Sequence, residues 1–597
     1  MRTKAFLFAV AAVFAVAAIG TPVPSEARQC RPAAHACSAA AGQQSRACRL
    51  ECGRFPDRAE RRACVEGCSD ARGTAAAHCR QVADRCAAVC AAGESEVACS
   101  ARVRSCRGAA RDAHGACRAA CAGQSRLDRP QCKARCHTAR AAAEAACGFA
   151  AVPVQIGAPV LPDLPAGQPA DLSLLEQAER DVVATADAQV DGLRNRSLRV
   201  AVGVAGTEVA IEQTRHGFAF GFPIDLRRLT NPADLAFYTD VVSRHFSVAV
   251  LENNAKWAKI EAVEGVRDYS FVDDDVDWGV ANGFVVKGHT LQWGIVPPFS
   301  SSAVPPWAIS RFGPLPLSAS DQEELREMVR TFVVETTGRY AGRITTWDVT
   351  NETLQPLGQW FVQRLGTGIV DDAYRWAHEA DPFAQLVFNE WIVEVFTGFA
   401  MPTAAQMRDR VLQLRAAGVP VHAVGQQAHF VPGIAFAGVP VDLSQRTAVD
   451  DYAVALETLA EAGLPIHITE TNFIAPDDPE LRAAHAEALM RLWWGTPAVE
   501  QVVFWGPWNK VAGRDEFDVG IWDDDGNLSR HGAAILSLLN DRWRTRAVLT
   551  SDANGVVEIP DATLGEYVAT WTAGGQPRHA RFTLERGPGG ATIAVGG

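Results

Sequence analysis

Cysteine is absent from the last 450 residues of this 597-residue chain, and tryptophan is absent from the first 256. A disulfide framework spanning the whole molecule is therefore excluded. A basic excess is lacking too. The 57 Lys/Arg against 69 Asp/Glu leave a formal charge of −12, which argues against nucleic acid as a partner. Beyond the first 20 residues no run is long and apolar enough to span a bilayer. With 48% hydrophobic and 21% charged residues, the chain is not a disordered one. Length alone suggests about four domains. What is present is divided: all 16 cysteines lie between Cys30 and Cys147, and all 15 tryptophans from Trp257 onward.

The first residues read as a secretory signal. Arg2 and Lys4 give a positive start, Ala5 to Ile19 is apolar, and Gly20, Pro22 and Pro24 precede the small residues Ser25 and Ala27. Cleavage near Ala27 and a secreted, extracellular or cell-surface protein are expected. A retained membrane anchor is the alternative, although the run is short for it. Export into an oxidising compartment allows the cysteines to pair.

Residues 28–150 carry 21 Lys/Arg and 11 Asp/Glu, a balance of +10; with +1 for the leader, residues 151–597 carry −23. Cys30, Cys37, Cys48, Cys52, Cys64, Cys68 and Cys79 recur as Cys99, Cys106, Cys117, Cys121, Cys132, Cys136 and Cys147, which indicates an internal duplication. Five Cys pairs are spaced i, i+4, so that both thiols share one helix face. Turn and capping residues between pairs imply an all-α module of helical hairpins. Cys52 could then face Cys64 and Cys48 face Cys68, with Cys121–Cys132 and Cys117–Cys136 as the second copy. A segment so poor in large side chains needs such staples. Thiols holding Cu(I) or zinc are the alternative. The positive charge suits a cell surface or other acidic partner, a merely solvated face being the plainer reading.

Pro153, Pro159, Pro162, Pro165 and Pro169 mark a semi-extended linker over 151–171. Residues 172–215 read as a helix followed by strands, and 546–597 as a small β module separated by Asp/Gly turns. Trp571 in that module could stack on a sugar, but a core role fits it better. Between 216 and 545 short apolar runs alternate with helical stretches. The strands expected are Phe218–Phe222, Ser247–Leu251, Phe284–Gly288, Ile344–Val349, Gln385–Phe388, Ala423–Gln427, Ile466–Thr469 and Val502–Trp505. Eight βα units over about 330 residues fit an α/β fold, the (β/α)8 TIM barrel, whose chemistry sits at the C-terminal strand ends.

Those ends are polar and aromatic. They read Glu252-Asn253-Asn254-Ala255-Lys256-Trp257, Gly288-His289-Thr290-Leu291-Gln292-Trp293, Trp347-Asp348-Val349-Thr350-Asn351-Glu352, Asn389-Glu390-Trp391, Gln427-Ala428-His429, Thr469-Glu470-Thr471-Asn472 and Trp505-Gly506. There is no Gly-rich phosphate loop and no metal-type His spacing, so neither cofactor nor metal is expected. Indoles stack on the apolar faces of sugar rings, while amides, Lys and His bond hydroxyls. Two carboxylates can cleave an acetal without a cofactor. Glu352 and Glu470, from strands 4 and 7, are the natural pair. A lone Glu at a strand end is ordinarily a surface residue or half of an ion pair; two at these strands, with Asn351 and the indoles, weigh against that. Trp257 reads as core, and Trp391 and Trp508 as either packing or ligand.

In these strand-end motifs the domain resembles glycoside hydrolase family 10, the endo-β-1,4-xylanases, across the whole barrel. The Gly288–Trp293 and Trp347–Glu352 segments are the most specific. The resemblance implies xylan as substrate, Glu352 as acid/base and Glu470 as nucleophile. It also implies sugar contacts from Glu252, Asn253, Lys256, His289, Trp293, Asn351, Gln427, His429 and Trp505. The chain departs from the family in four places. Gly294 stands where His is usual, Asn472 where Asp is usual, and Asn389-Glu390-Trp391 where Asn-Asp-Tyr is usual. A second tryptophan in the strand-8 loop is missing at its spacing, with Trp508 or Trp522 as substitutes. Other enzymes of the same barrel clan, acting on cellulose or mannan, and an inactive carbohydrate-binding surface protein are the alternatives. A monomer is expected.

Overall fold

The computed structural model describes residues 154–597, except 160, 162–163, 298–301, 392–401, 431–447, 475, 512–518, 588–589 and 596–597. The leader, the cysteine-rich segment and its proposed pairings lie outside the described residues.

Eight parallel strands close into a barrel. In chain order they are β1 (Ala219–Ile224), β2 (Val248–Leu251), β3 (Val285–Trp293), β4 (Ile344–Asn351), β5 (Gln385–Glu390), β6 (Ala423–Gln426), β7 (Ile466–Phe473) and β8 (Val499–Phe504). Each pairs with the next, and β8 pairs with β1 to close the ring. The strands are buried on both faces because one face meets the barrel interior and the other the helical coat. All four residues of β2 are buried. Val248, Val250 and Val503 form a small cluster of their own, apart from the main core.

The helices carry local stop and start signals. Ser318 caps the long helix Ala319–Arg339 by accepting from the Asp321 amide, and the helix buries Leu325, Val329, Phe332 and Val333 at i, i+4, i+7 and i+8. Each such side chain contributes roughly 1.5–3 kcal/mol on full burial. Thr403 and Gln406 form a capping box at Ala404–Ala416. Asp478 caps Pro479–Gly495, where proline at the first turn loses no helical bond.

Three strands run further than their sequence suggests. β3 continues to Trp293, β4 to Asn351 and β7 to Phe473. Their pairing shifts register between His289 and Gln292, between Asp348 and Thr350, and between Ile468 and Thr471. Such irregularities break the two-residue alternation on which strand ends are read, and they re-aim side chains. His289, Trp293, Asn351 and Glu470 are therefore held inside strands rather than on loops.

Strands from before and after the barrel join in two further sheets. One has five antiparallel strands in the order Val154–Ile156, Gln576–Leu584, Gly565–Ala573, Glu208–His216 and Arg546–Thr550. The other places Asn195–Ala201 between Val556–Thr563 and Ala591–Ala594. In the five-stranded sheet Trp571 is buried at 4% exposure, and Tyr567 stacks on Phe582. The proline-rich stretch is tied down as it passes. Its first residues pair with the Gln576–Leu584 strand, and Gln168 N–H donates to the Ala533 carbonyl. The helix after it covers Gln177–Ala188.

Candidate active site

The C-terminal rim is laced by backbone bonds between neighbouring strand ends. Glu352 N–H donates to Asn389 O (3.0 Å), Gln427 N–H to Glu390 O (3.0 Å), Glu470 N–H to Gln427 O (3.1 Å) and Trp505 N–H to Thr471 O (2.8 Å). These bonds fix the spacing of the side chains that follow. Glu352 and Ala428 are the only non-glycine residues with positive φ among those described, at 57° and 56°. Such a conformation costs a residue with a Cβ on the order of 1–3 kcal/mol, so it persists only where the surroundings impose it.

All eleven residues singled out from the sequence lie at this rim. Gln427 Nε2 donates to Glu352 Oε1 (2.9 Å) and reaches Asn351 Oδ1 (3.2 Å). Asn389 Nδ2 donates to Asn351 Oδ1 (2.7 Å) and to Glu470 Oε1 (2.9 Å). A chain of amides thus runs from one glutamate to the other. Trp293 Nε1 donates to Glu352 Oε2 (3.1 Å). His429 Nε2 lies 3.3 Å from Glu470 Oε2, and His289 Nδ1 lies 3.9 Å from Glu470 Oε1. The Trp505 ring meets His289 edge-on at 5.4 Å. Lys256 sits 4.8 Å above the Trp293 ring and donates to Asn253 Oδ1 (2.8 Å). Glu252 pairs with Arg228 Nη1 at 2.9 Å.

The two glutamates are held in opposite charge states. Burial pushes Glu352 up to about 7, and the negative charge of Glu470 adds to it, against the Gln427 and Trp293 bonds. Burial acts upward on Glu470 as well, but the imidazoles of His289 and His429 and the Asn389 amide outweigh it and bring it down to about 2. At neutral pH Glu470 is ionised, while Glu352 is about half protonated and keeps its proton as the pH falls below 7. Lys256 is lowered to about 8 by burial, while Glu252, Glu470 and Glu352 oppose the shift. Burial also raises Glu252, with Arg228 and Lys256 acting against it.

Several residues of the site were not picked out from the sequence. Asn389 contacts the ionised glutamate directly, and its position at the end of β5 beside two other strand-end amides was the available signal. Asp348 orients His289 through Nδ1 (3.0 Å) and is itself paired with Lys287 Nζ (2.9 Å), the lysine being fully buried inside the barrel. Arg228 comes from the β1 loop, which the sequence reading left out.

The departures from the family pattern have visible local settings. A Cβ on Gly294 would collide with the Gly358 carbonyl and the Trp360 amide, so the loop after β4 occupies the space a larger residue needs. Asn472 is 2% exposed and opposite His429 in register, yet neither of its side-chain polar atoms has a hydrogen-bond partner. Trp508 and Trp522 do not substitute for a loop tryptophan: both are buried, at 3% and 2% exposure, with Trp508 packed on Phe237 and Trp522 on His245. Trp257 packs on Trp307, Phe332 and Phe361 in the core. Trp391 is buried edge-on to His429. Among the described residues no group of His, Cys, Asp and Glu could hold a metal, and no helix is long and apolar enough to cross a membrane.

Several proteins resemble this chain in sequence. The anti-sigma-I factor RsgI6 of Acetivibrio thermocellus is 29% identical over 415 residues, which cover 68% of this chain and 49% of that protein. Endo-1,4-beta-xylanase 1 of Arabidopsis thaliana is 26% identical over 59% of this chain and 33% of the relative. Endo-1,4-beta-xylanase A of a Caldicellulosiruptor species is 30% identical over 44% and 36%. The chain thus spans half or less of the length of these relatives. The model for glycosyl hydrolase family 10 matches residues 210–528, more than half of the chain. With the rim geometry above, that match means that the chain belongs to glycosyl hydrolase family 10.

Proposed function

We propose that this protein is a retaining endo-β-1,4-xylanase that cleaves internal bonds of xylan with Glu470 as nucleophile and Glu352 as acid/base. The observation that carries the reading is the pair of buried glutamates on β7 and after β4, one held ionised and the other raised to about 7, so that it keeps a proton in weak acid. Ionised Glu470 attacks the anomeric carbon and forms a glycosyl ester as the bond to the leaving oxygen breaks. Glu352 gives its proton to that oxygen. It then takes a proton from water, which attacks the same carbon and releases Glu470. Asn351, already fixed by Asn389 and Gln427, is placed to bond the 2-hydroxyl of the sugar. The indoles of Trp293 and Trp505 offer stacking faces, and Lys256 and His289 bond hydroxyls.

We also infer export, cleavage of the leader near Ala27, a disulfide-stapled module over 28–150 whose basic face is solvated or meets an acidic surface, and a monomeric enzyme. The support for these is the sequence alone. A second reading is a barrel that binds polysaccharide without cleaving it.

Release of reducing ends from xylan, cellulose and mannan, measured side by side, tests the proposal. Xylan is the expected substrate, and Glu470→Ala is expected to abolish release while leaving binding intact. Faster cleavage of cellulose or mannan would move the protein to another activity of the same barrel clan. Binding without any release by the unmutated protein would establish the second reading.

A further inference from the structure

Glu390, the last residue of β5, is fully buried. Its Oε1 accepts two hydrogen bonds, from Thr353 Oγ1 and from the Leu354 backbone N–H, both at 2.9 Å. Those donors are the two residues that follow Glu352. The third hold on this turn is the backbone bond from Glu352 N–H to Asn389 O, made by the neighbour of Glu390. β5 therefore grips residues 352, 353 and 354 in succession. Glu352 itself stands at a φ of 57°, a conformation that a residue with a Cβ leaves when nothing enforces it.

We propose that Glu390 is a positioning residue, whose Oε1 clamps the Thr353–Leu354 turn and thereby aims the Glu352 carboxyl at the leaving-group oxygen. The inference rests on the acid/base role given to Glu352 above. Burial pushes Glu390 up to about 8, the Thr353 and Leu354 bonds opposing and the nearby Glu352 adding to the rise, so the residue is neutral where Glu352 still holds its proton. The other titratable group facing it is Tyr374, raised well above its ordinary value by burial. A neutral acid accepts through its carbonyl oxygen as an amide does, and it adds no negative charge beside Glu352. The second oxygen, Oε2, is buried without a hydrogen-bond partner, so only Oε1 carries the clamp.

The test uses the full-length protein and two aryl β-xylobiosides. One has a dinitrophenolate leaving group, which departs without a proton; the other has an unactivated phenol, which needs one. General acid catalysis contributes on the order of 10²–10⁴-fold where a proton is required. For Glu390→Ala, kcat/KM on the unactivated substrate is expected to fall at least tenfold, while the dinitrophenyl substrate changes less than about threefold. Glu390→Gln keeps an acceptor in the same place and is expected to stay within about threefold of the unmutated enzyme on both. A merely structural residue would move both substrates together. Equal losses on the two substrates, no loss on either, or a Gln variant as impaired as the Ala variant would each overturn the proposal. If Glu390→Ala fails to fold, Thr353→Val decides, because it removes one clamp donor from the other side; absence of the same split there overturns the proposal. An unmutated enzyme that cleaves neither aryl glycoside nor polysaccharide would instead refute the functional reading.

Discussion

The charge state of Glu352 is the most exacting consequence of the site. In the proposed mechanism Glu352 is the acid and must hold its proton, so activity is expected below its pKa and should be lost as pH rises through about 7. Glu470 must be ionised, and that requirement is met down to about 2. The kcat/KM profile should therefore show a basic limb near 7 and no Glu470 limb in the range where the fold survives. Lifting Glu352 from its ordinary 4.5 to about 7 corresponds to about 3 kcal/mol, at 1.36 kcal/mol per pH unit. Two effects share that work, burial first and the Glu470 charge second. At ~5–5.5 Å, the separation of a retaining pair, two unit charges at an effective dielectric of ~20 interact by roughly 3 kcal/mol, which bounds the second effect at about 2 pH units. Glu470→Gln removes only that charge. The Glu352 titration, followed by carbon NMR of labelled glutamate, is expected to fall by about 1–2 units and to stay above 4.5, because the carboxyl remains buried. Glu352→Gln assigns the signal, and Glu390→Gln removes the other glutamate raised into this range. A Glu352 titration near 4.5 in the unmutated protein would refute the burial argument. An unchanged value in Glu470→Gln would refute the charge argument.

Other consequences are simpler. Asn389→Ala removes a bond to an ionised carboxylate and the link to Asn351, so steady-state assays should find kcat lowered roughly 10- to 100-fold; a loss below threefold would mean that the amide chain is idle. Lys287→Met leaves the buried Asp348 carboxylate without its cation, and urea unfolding should register a loss of about 3–5 kcal/mol, less than 1 being incompatible with a fully buried pair. Gly294→His forces the β3 end away from the loop after β4, and thermal unfolding should report a loss of about 1–3 kcal/mol; an unshifted transition would show that the loop yields freely.

Much of the barrel was legible because short apolar runs alternate with amphipathic helices. Glu252, His289, Glu352 and Glu470 could be placed at one rim from topology alone, since every parallel strand of a barrel ends on the same side. The extension of β3, β4 and β7 was not legible. It depends on register shifts that no alternation of residue types announces. Trp508 and Trp522 stayed open in the sequence for a related reason. An indole near a strand end is the same residue type whether it lines a cleft or fills a core, and only its neighbours, Phe237 and His245 here, decide.

The sequence by itself determined the uneven spread of cysteine and tryptophan, the barrel, and the presence of two glutamates at the ends of its fourth and seventh strands. These follow from composition, periodicity and topology, which are properties of the chain's order. The tertiary structure supplied the physical reason that Glu352, and not Glu470, is the carboxyl raised toward neutrality. That depends on burial and on the approach of His289, His429 and Asn389 to one carboxyl and of Gln427 and Trp293 to the other. It alone also placed Glu390 beneath the Glu352 turn, 38 positions further along the chain, by pairing β5 with β4. Contacts of that separation arise from strand pairing, and residue spacing along the chain carries no record of them.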